Sequence, residues 1–301
     1  MNPTINLQGV YPPIPTPFER TGEVAYGALQ ENLARWNTYA LSGYVVLGSN
    51  GEAGYLDAAE KRRVLEAARS AIPGGKQLIA GTGCESTRET IELTRDAAAI
   101  GAEAALVLTP HFYGGQMTPE SLVRHYRAVA EESPIPVLLY NVPKFTGVDM
   151  DAATIARASQ LSNVAGVKDS SGNIAKLTDI VRLAAPGFQV LVGTASVFFA
   201  GLAMGAVGGV LALVNVAPQQ AVDIQRFYQA GRWDDAVELQ RRMMPVNTAV
   251  TARFGVAGLK AALDMLGYYG GPVRSPLMDL GESERQTLRQ VLVEGGLLSV
   301  A

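Results

Sequence analysis

Three short stretches of the chain place reactive or anion-binding groups directly after apolar runs. YVVLG from Tyr44 leads into Ser49, Asn50, Gly51 and Glu52. PVLLY from Pro136 ends in Tyr140 and is followed by Asn141, Val142 and Pro143. VAGVK from Val164 ends in Lys168 and is followed by Asp169, Ser170 and Ser171. Of six lysines, Lys168 alone terminates an apolar run, the other five falling in helix-period stretches or turns. An amine with the ordinary lysine pKa of about 10.4 is almost wholly protonated at neutral pH, but apolar surroundings favour the free base, and a free amine condenses with a carbonyl. The competing role is a lysine paired with Asp169 or extending its ammonium to the rim. Tyr140 brings a phenol able to move protons between an amine, a carbinolamine and a hydroxyl, or simply packs. The backbone N–H groups around Ser49 and Asn50 can hold a carboxylate, or merely make a tight turn.

Three such turns serve one reaction only if the fold gathers the ends of their strands. The apolar runs continue with QLIAG from Gln77, AALVL from Ala104, QVLVG from Gln189 and GGVLAL from Gly208, and a first strand near Gly9 to Pro13 brings the count to eight. They are apolar throughout rather than alternating, as a parallel sheet covered on both faces requires. Between them lie charged stretches of helical period such as LDAAEKRRVLEAARSAI, TRETIELTRDAAAIG and TPESLVRHYRAVAEE, each opened by Asp or Thr. Eight strand–helix units predict an α/β fold, a (β/α)8 TIM barrel, with an open doubly wound sheet as the alternative. The barrel core is expected over residues 1–217. Residues 218–301, dominated by helical period, are expected to add about three helices packed on the barrel rather than an independent domain.

Composition excludes several other functions. With 25 basic and 28 acidic residues, a net charge of −3, 48% apolar and 18% charged residues, the chain buries a large core and lacks the basic surface that nucleic acid requires. One cysteine, Cys84, cannot form an intrachain bridge, and His111 and His125 lie too far apart for local ligand spacing, so neither a disulfide scaffold nor a metal centre is expected. Val197 to Ala217 carries no charge and is long enough to span a bilayer, but Gly205, Gly208 and Gly209 break it into a helix, a turn and a strand. No membrane association is expected. The N-terminus lacks a secretory pattern, which predicts a cytoplasmic protein.

Taken together, GSNGE, YNVP and GVKDSSG resemble the dihydrodipicolinate synthase and N-acetylneuraminate lyase family of class I pyruvate aldolases, over nearly the whole chain. AGTGCEST, GAVGGVLALVNV and RFGVAGLKAALDMLGYYGGPVRSPL look most like 4-hydroxy-2-oxoglutarate aldolases within it. The resemblance implies that Lys168 forms a Schiff base and Tyr140 relays protons. It implies that Ser49 and Asn50 bind the pyruvyl carboxylate, that Gly193 lines the pocket and that Ser170 helps to hold a substrate hydroxyl. It also implies a 2-oxo acid substrate, no cofactor, and a homotetramer in which an aromatic of the HFYGG loop reaches a neighbouring subunit. An ungapped alignment puts Phe112, without a hydroxyl, at that position, with Tyr113 beside it. The synthases that condense aspartate semialdehyde carry an arginine shortly after YNVP, where this chain has Lys144 and Phe145. The activity expected is cleavage of 4-hydroxy-2-oxoglutarate to pyruvate and glyoxylate. The alternatives are another aldolase, a hydratase-aldolase or dihydrodipicolinate synthase of the same family, and outside enzymes a non-catalytic keto-acid sensor.

Overall fold

The computed structural model describes residues 5–299. All eight expected strands form: β1 (Gly9–Tyr11), β2 (Gly43–Val46), β3 (Gln77–Gly81), β4 (Ala104–Leu108), β5 (Val137–Asn141), β6 (Val164–Asp169), β7 (Gln189–Val192) and β8 (Gly208–Val210). Their order is β1-β8-β7-β6-β5-β4-β3-β2. Just past β1, Pro13 makes a parallel bridge to Val45, with Ile14 N–H donating to the Val45 carbonyl at 2.9 Å. The fold is a (β/α)8 TIM barrel. β2, β5 and β6 are buried at every position, as their unbroken apolar runs require.

The helices between the strands are α1 (Tyr26–Trp36), α2 (Ala58–Ala71), α3 (Thr87–Ile100), α4 (Pro119–Glu132), the short α5 (Pro143–Thr146), α6 (Ala152–Ala158), α7 (Ile174–Leu183) and α8 (Phe198–Ala203). Their starts are written in side chains. Asp57 and Glu60 form a reciprocal capping box on α2, and Thr118 accepts from Ser121 N–H ahead of Pro119 on α4. On α3 the cap is Ser86 rather than the Thr87 that the pattern suggested. Beyond β8 come α9 (Pro218–Gln229), α10 (Trp233–Thr248), α11 (Gly255–Met265) and α12 (Glu282–Glu294), four helices where three were expected. The uncharged stretch from Val197 folds as α8, a turn, β8 and a 3-10 turn over Ala212–Asn215, and among the described residues no helix is long and apolar enough to cross a membrane.

The chain forms two compact units. One takes the first described residues through Gly9 and resumes over Gln77–Val210; the other takes Val10–Lys76 and everything from Leu211 on. The first holds β3 to β8 in continuous parallel register, with a one-residue irregularity between Val137 and Leu138 where β5 meets β6. Its amino-terminal segment is held by Gln189, whose side chain accepts from Leu7 N–H at 2.8 Å and donates to the Ile5 carbonyl at 2.6 Å. In the second unit Trp36 is fully buried. It donates to the Asn215 carbonyl at 3.0 Å and stacks on Tyr268 with ring centroids 5.2 Å apart.

Candidate active site

Lys168 and Tyr140 are cross-strand neighbours. In the parallel register of β5 and β6, Tyr140 pairs with Lys168 and Asn141 with Asp169. Because side chains alternate along a strand, the first pair takes one face of the sheet and the second takes the other. Lys168 Nζ lies 4.0 Å from the centroid of the Tyr140 ring, with the two residues 3% and 5% exposed. This is a buried primary amine against a phenol, the combination that imine chemistry with proton relay needs. The alternative of a Lys168–Asp169 pair fails for a geometric reason. The Asp169 carboxylate is engaged on the opposite face by Asn141 Nδ2 at 2.7 Å and Ser171 Oγ at 2.5 Å, with Lys176 Nζ at 3.6 Å.

Ser170 and Gly193 meet beside this pair. Gly193 N–H donates to the Asp169 carbonyl at 2.7 Å, and Ser170 Oγ donates to the Gly193 carbonyl at 3.3 Å. A Cβ on Gly193 would stand 1.9 Å from Ser170 Oγ and 2.8 Å from the Asp169 carbonyl oxygen, so only glycine admits this approach of β7 to the end of β6.

Ser49 and Asn50 belong to the second compact unit, in a 3-10 turn (Ser49–Gly51) at the C-terminal end of β2. Two non-glycine residues in the left-handed region flank the turn, Leu47 (φ 61°) and Glu52 (φ 53°). Such conformations are retained only where surrounding contacts over-determine them. Here the contacts are charged and buried. Glu52 Oε1 pairs with Lys260 Nζ at 2.5 Å, both side chains being 1% exposed, while Glu52 Oε2 accepts from Arg274 N–H at 2.8 Å. Lys260 also donates to the Pro272 carbonyl at 2.8 Å and lies 4.3 Å above the Phe18 ring. Burial pushes the Lys260 amine below the ordinary lysine value, against the pull of Glu52.

A match to the model of the dihydrodipicolinate synthetase family runs over residues 6–294, from before β1 to the end of α12. The chain belongs to the dihydrodipicolinate synthetase family. It is an enzyme of the family's lyase type, a class I pyruvate aldolase. It is 37% identical to a 4-hydroxy-tetrahydrodipicolinate synthase of Methanothrix thermoacetophila over 96% of this chain and 97% of that protein. The chloride-inhibited dihydrodipicolinate synthase of Acinetobacter baumannii, solved with pyruvate, superposes with a TM-score of 0.93 at 30% identity, covering 97% of this chain and all of that one. A monomeric dihydrodipicolinate synthase variant superposes with a TM-score of 0.92 at 30% identity, over 97% and 98% of the two chains.

The remaining residues that the family pattern singled out are exposed. Tyr113 and Phe112 follow β4, 70% and 76% exposed, with their rings edge to face. Glu85 anchors their loop by accepting from the N–H groups of His111 and Phe112 at 2.9 and 2.8 Å and pairing with His111 Nδ1 at 2.7 Å. Phe145, on α5, is 59% exposed. Among the described residues no cluster of three metal-ligating side chains occurs. Sequence reading passed over Lys260, a lysine inside the apolar run GVAGLKAAL, and the network behind Lys168. That network comprises Asn141, Asp149, Asp169 and Lys176, two of which directly follow the residues already singled out.

Proposed function

We propose that the enzyme binds a 2-oxo acid as an imine on Lys168 and makes or breaks a carbon–carbon bond at the carbon next to it. The observation that carries this reading is the buried amine of Lys168 against the Tyr140 ring. In the condensing direction the amine attacks C2 of pyruvate and water leaves. Tyr140 protonates the oxygen that leaves as water, and its phenolate then takes the C3 proton while the protonated imine accepts the electron pair of that C–H bond. The resulting enamine attacks an aldehyde carbon, Tyr140 delivers a proton to the new alkoxide, and water hydrolyses the imine to free the product and Lys168. The imine is itself the electron sink, so the scheme calls for no cofactor. Ser49 and Asn50 hold the 1-carboxylate, largely through backbone N–H groups, Gly193 lines the pocket and Ser170 helps to hold the substrate hydroxyl, which in the condensing direction is the one that forms from the aldehyde oxygen.

For the aldehyde, the names of the relatives support 4-hydroxy-tetrahydrodipicolinate synthesis from pyruvate and aspartate semialdehyde, ahead of the 4-hydroxy-2-oxoglutarate cleavage expected from sequence. One feature of the sequence favours the latter as a second reading: the family resemblance implies an arginine for the second carboxylate shortly after YNVP, where this chain has Lys144 and Phe145. The reading brings with it a cytoplasmic homotetramer, with Tyr113 or Phe112 meeting a neighbouring subunit, as their exposure permits. A monomeric relative makes the assembly a question for sedimentation. The chemistry is tested by incubating with pyruvate, reducing with borohydride and mapping the mass increment. An adduct on Lys168 is expected, and an adduct confined to Lys144 or Lys260 refutes the scheme. Comparing kcat/KM with aspartate semialdehyde and with glyoxylate as acceptors decides between the two readings.

A further inference from the structure

The ends of β5 and β6 carry a second side-chain pair, Asn141 and Asp169, on the face turned away from the amine and phenol. Asn141 is fully buried and its amide fully used. Nδ2 donates to Asp169 Oδ1 at 2.7 Å and to Asp149 Oδ1 at 2.8 Å, and Oδ1 accepts from Met150 N–H at 2.9 Å. Asp169 is 2% exposed and takes its second hydrogen bond from Ser171 at 2.5 Å. Lys176 forms ion pairs with both Asp149 and Asp169. A buried carboxylate is costly wherever apolar side chains would pack instead, and the best-attested use of such polar pairs is to fix a register. Register is at issue in this strand pair. Below the site β5 and β6 slip by one residue, Val137 pairing with Val164 and Leu138 with Gly166. A slip of the same size above it would place Leu139 or Asn141 beside Lys168 in place of Tyr140.

We propose that the Asn141–Asp169 pair is a clamp, made of positioning residues rather than catalytic ones, that holds the Tyr140 phenol in register with the Lys168 amine. The inference rests on the imine reading above, with Tyr140 as its proton relay.

The test is a double-mutant cycle with N141A, Y140F and the double variant, with D169N as a milder second probe should N141A fold poorly. Two readouts are taken at saturating pyruvate: the end-point extent of borohydride trapping on Lys168, which reports the amine, and the rate of exchange of the pyruvate methyl protons for solvent deuterium, which also needs the relay. N141A is expected to trap pyruvate like the wild type while exchange slows about tenfold or more. In the Y140F background the same change is expected to add less than a further twofold. D169N should move the same readout in the same direction. The clamp is overturned if N141A multiplies the Y140F loss in full, or if trapping and exchange fall in equal proportion. Absence of a Lys168 adduct in the wild type is the separate result that removes the imine reading and the clamp together.

Discussion

At the scale of single residues, Lys168 and Tyr140 are assigned different steps, and their variants must fail differently. Lys168→Arg keeps the charge and discards the nucleophile, so turnover is expected to drop roughly 10³-fold or more with no adduct trapped. Retained turnover in a steady-state assay of that variant would end the imine mechanism. Tyr140→Phe keeps the ring against the amine and removes the proton carrier. Trapping is expected to persist while turnover falls about 10²–10⁴-fold, measured as kcat with the adduct quantified in parallel. Both residues were readable from sequence because each closes an apolar run, and position at a strand's end is a property of the chain. Asn141 and Asp169 were not. Their meaning lies in which strand stands beside which and in what register, information that no single strand contains.

At the scale of elements, the turn after β2 depends on charges from outside itself. Glu52 holds its left-handed backbone through a buried carboxylate whose partners come from α11 and from the segment after it. Removing one member of a buried ion pair leaves the other uncompensated, so Lys260→Met is expected to cost about 3–5 kcal/mol in urea unfolding. The Lys260→Met/Glu52→Gln double variant should recover most of that loss; no recovery would mean that Lys260 acts through packing on Phe18 instead. A lysine among Gly258, Leu259, Ala261 and Ala262 was a legible anomaly, although its partner was not. α12 escaped notice for the opposite reason. Only Leu288 and Leu292 are buried along it, too thin a stripe to stand out from its charges.

At the scale of the whole molecule, stability carries a proton-linked component set by His125. Its imidazole is 7% exposed, with Nδ1 at 2.9 Å from Thr87 Oγ1 and Nε2 without a hydrogen-bond partner. Burial lowers its pKa from 6.5 to about 4. Between those two pH values the unfolded chain takes up a proton that the native chain refuses. The stabilisation is therefore whole above pH 6.5 and is lost as pH falls toward 4, by about 3 kcal/mol from this one group. His125→Phe is expected to flatten that part of the stability curve, read as the difference between wild-type and variant denaturation midpoints from pH 4 to 7. Parallel curves would assign the acid sensitivity elsewhere. The barrel itself was legible from eight apolar runs separated by capped helices, whereas the strand order and the division into two compact units depend on contacts between distant segments. That distance has a consequence for biosynthesis. Leu7 finds its hydrogen-bond partner 182 residues later, in Gln189. At roughly 5–20 residues per second, a ribosome needs about 10–40 s to deliver it. Leu7 cannot make that bond before then, so this contact closes only after β7 has left the ribosome and is not formed progressively as the segment emerges.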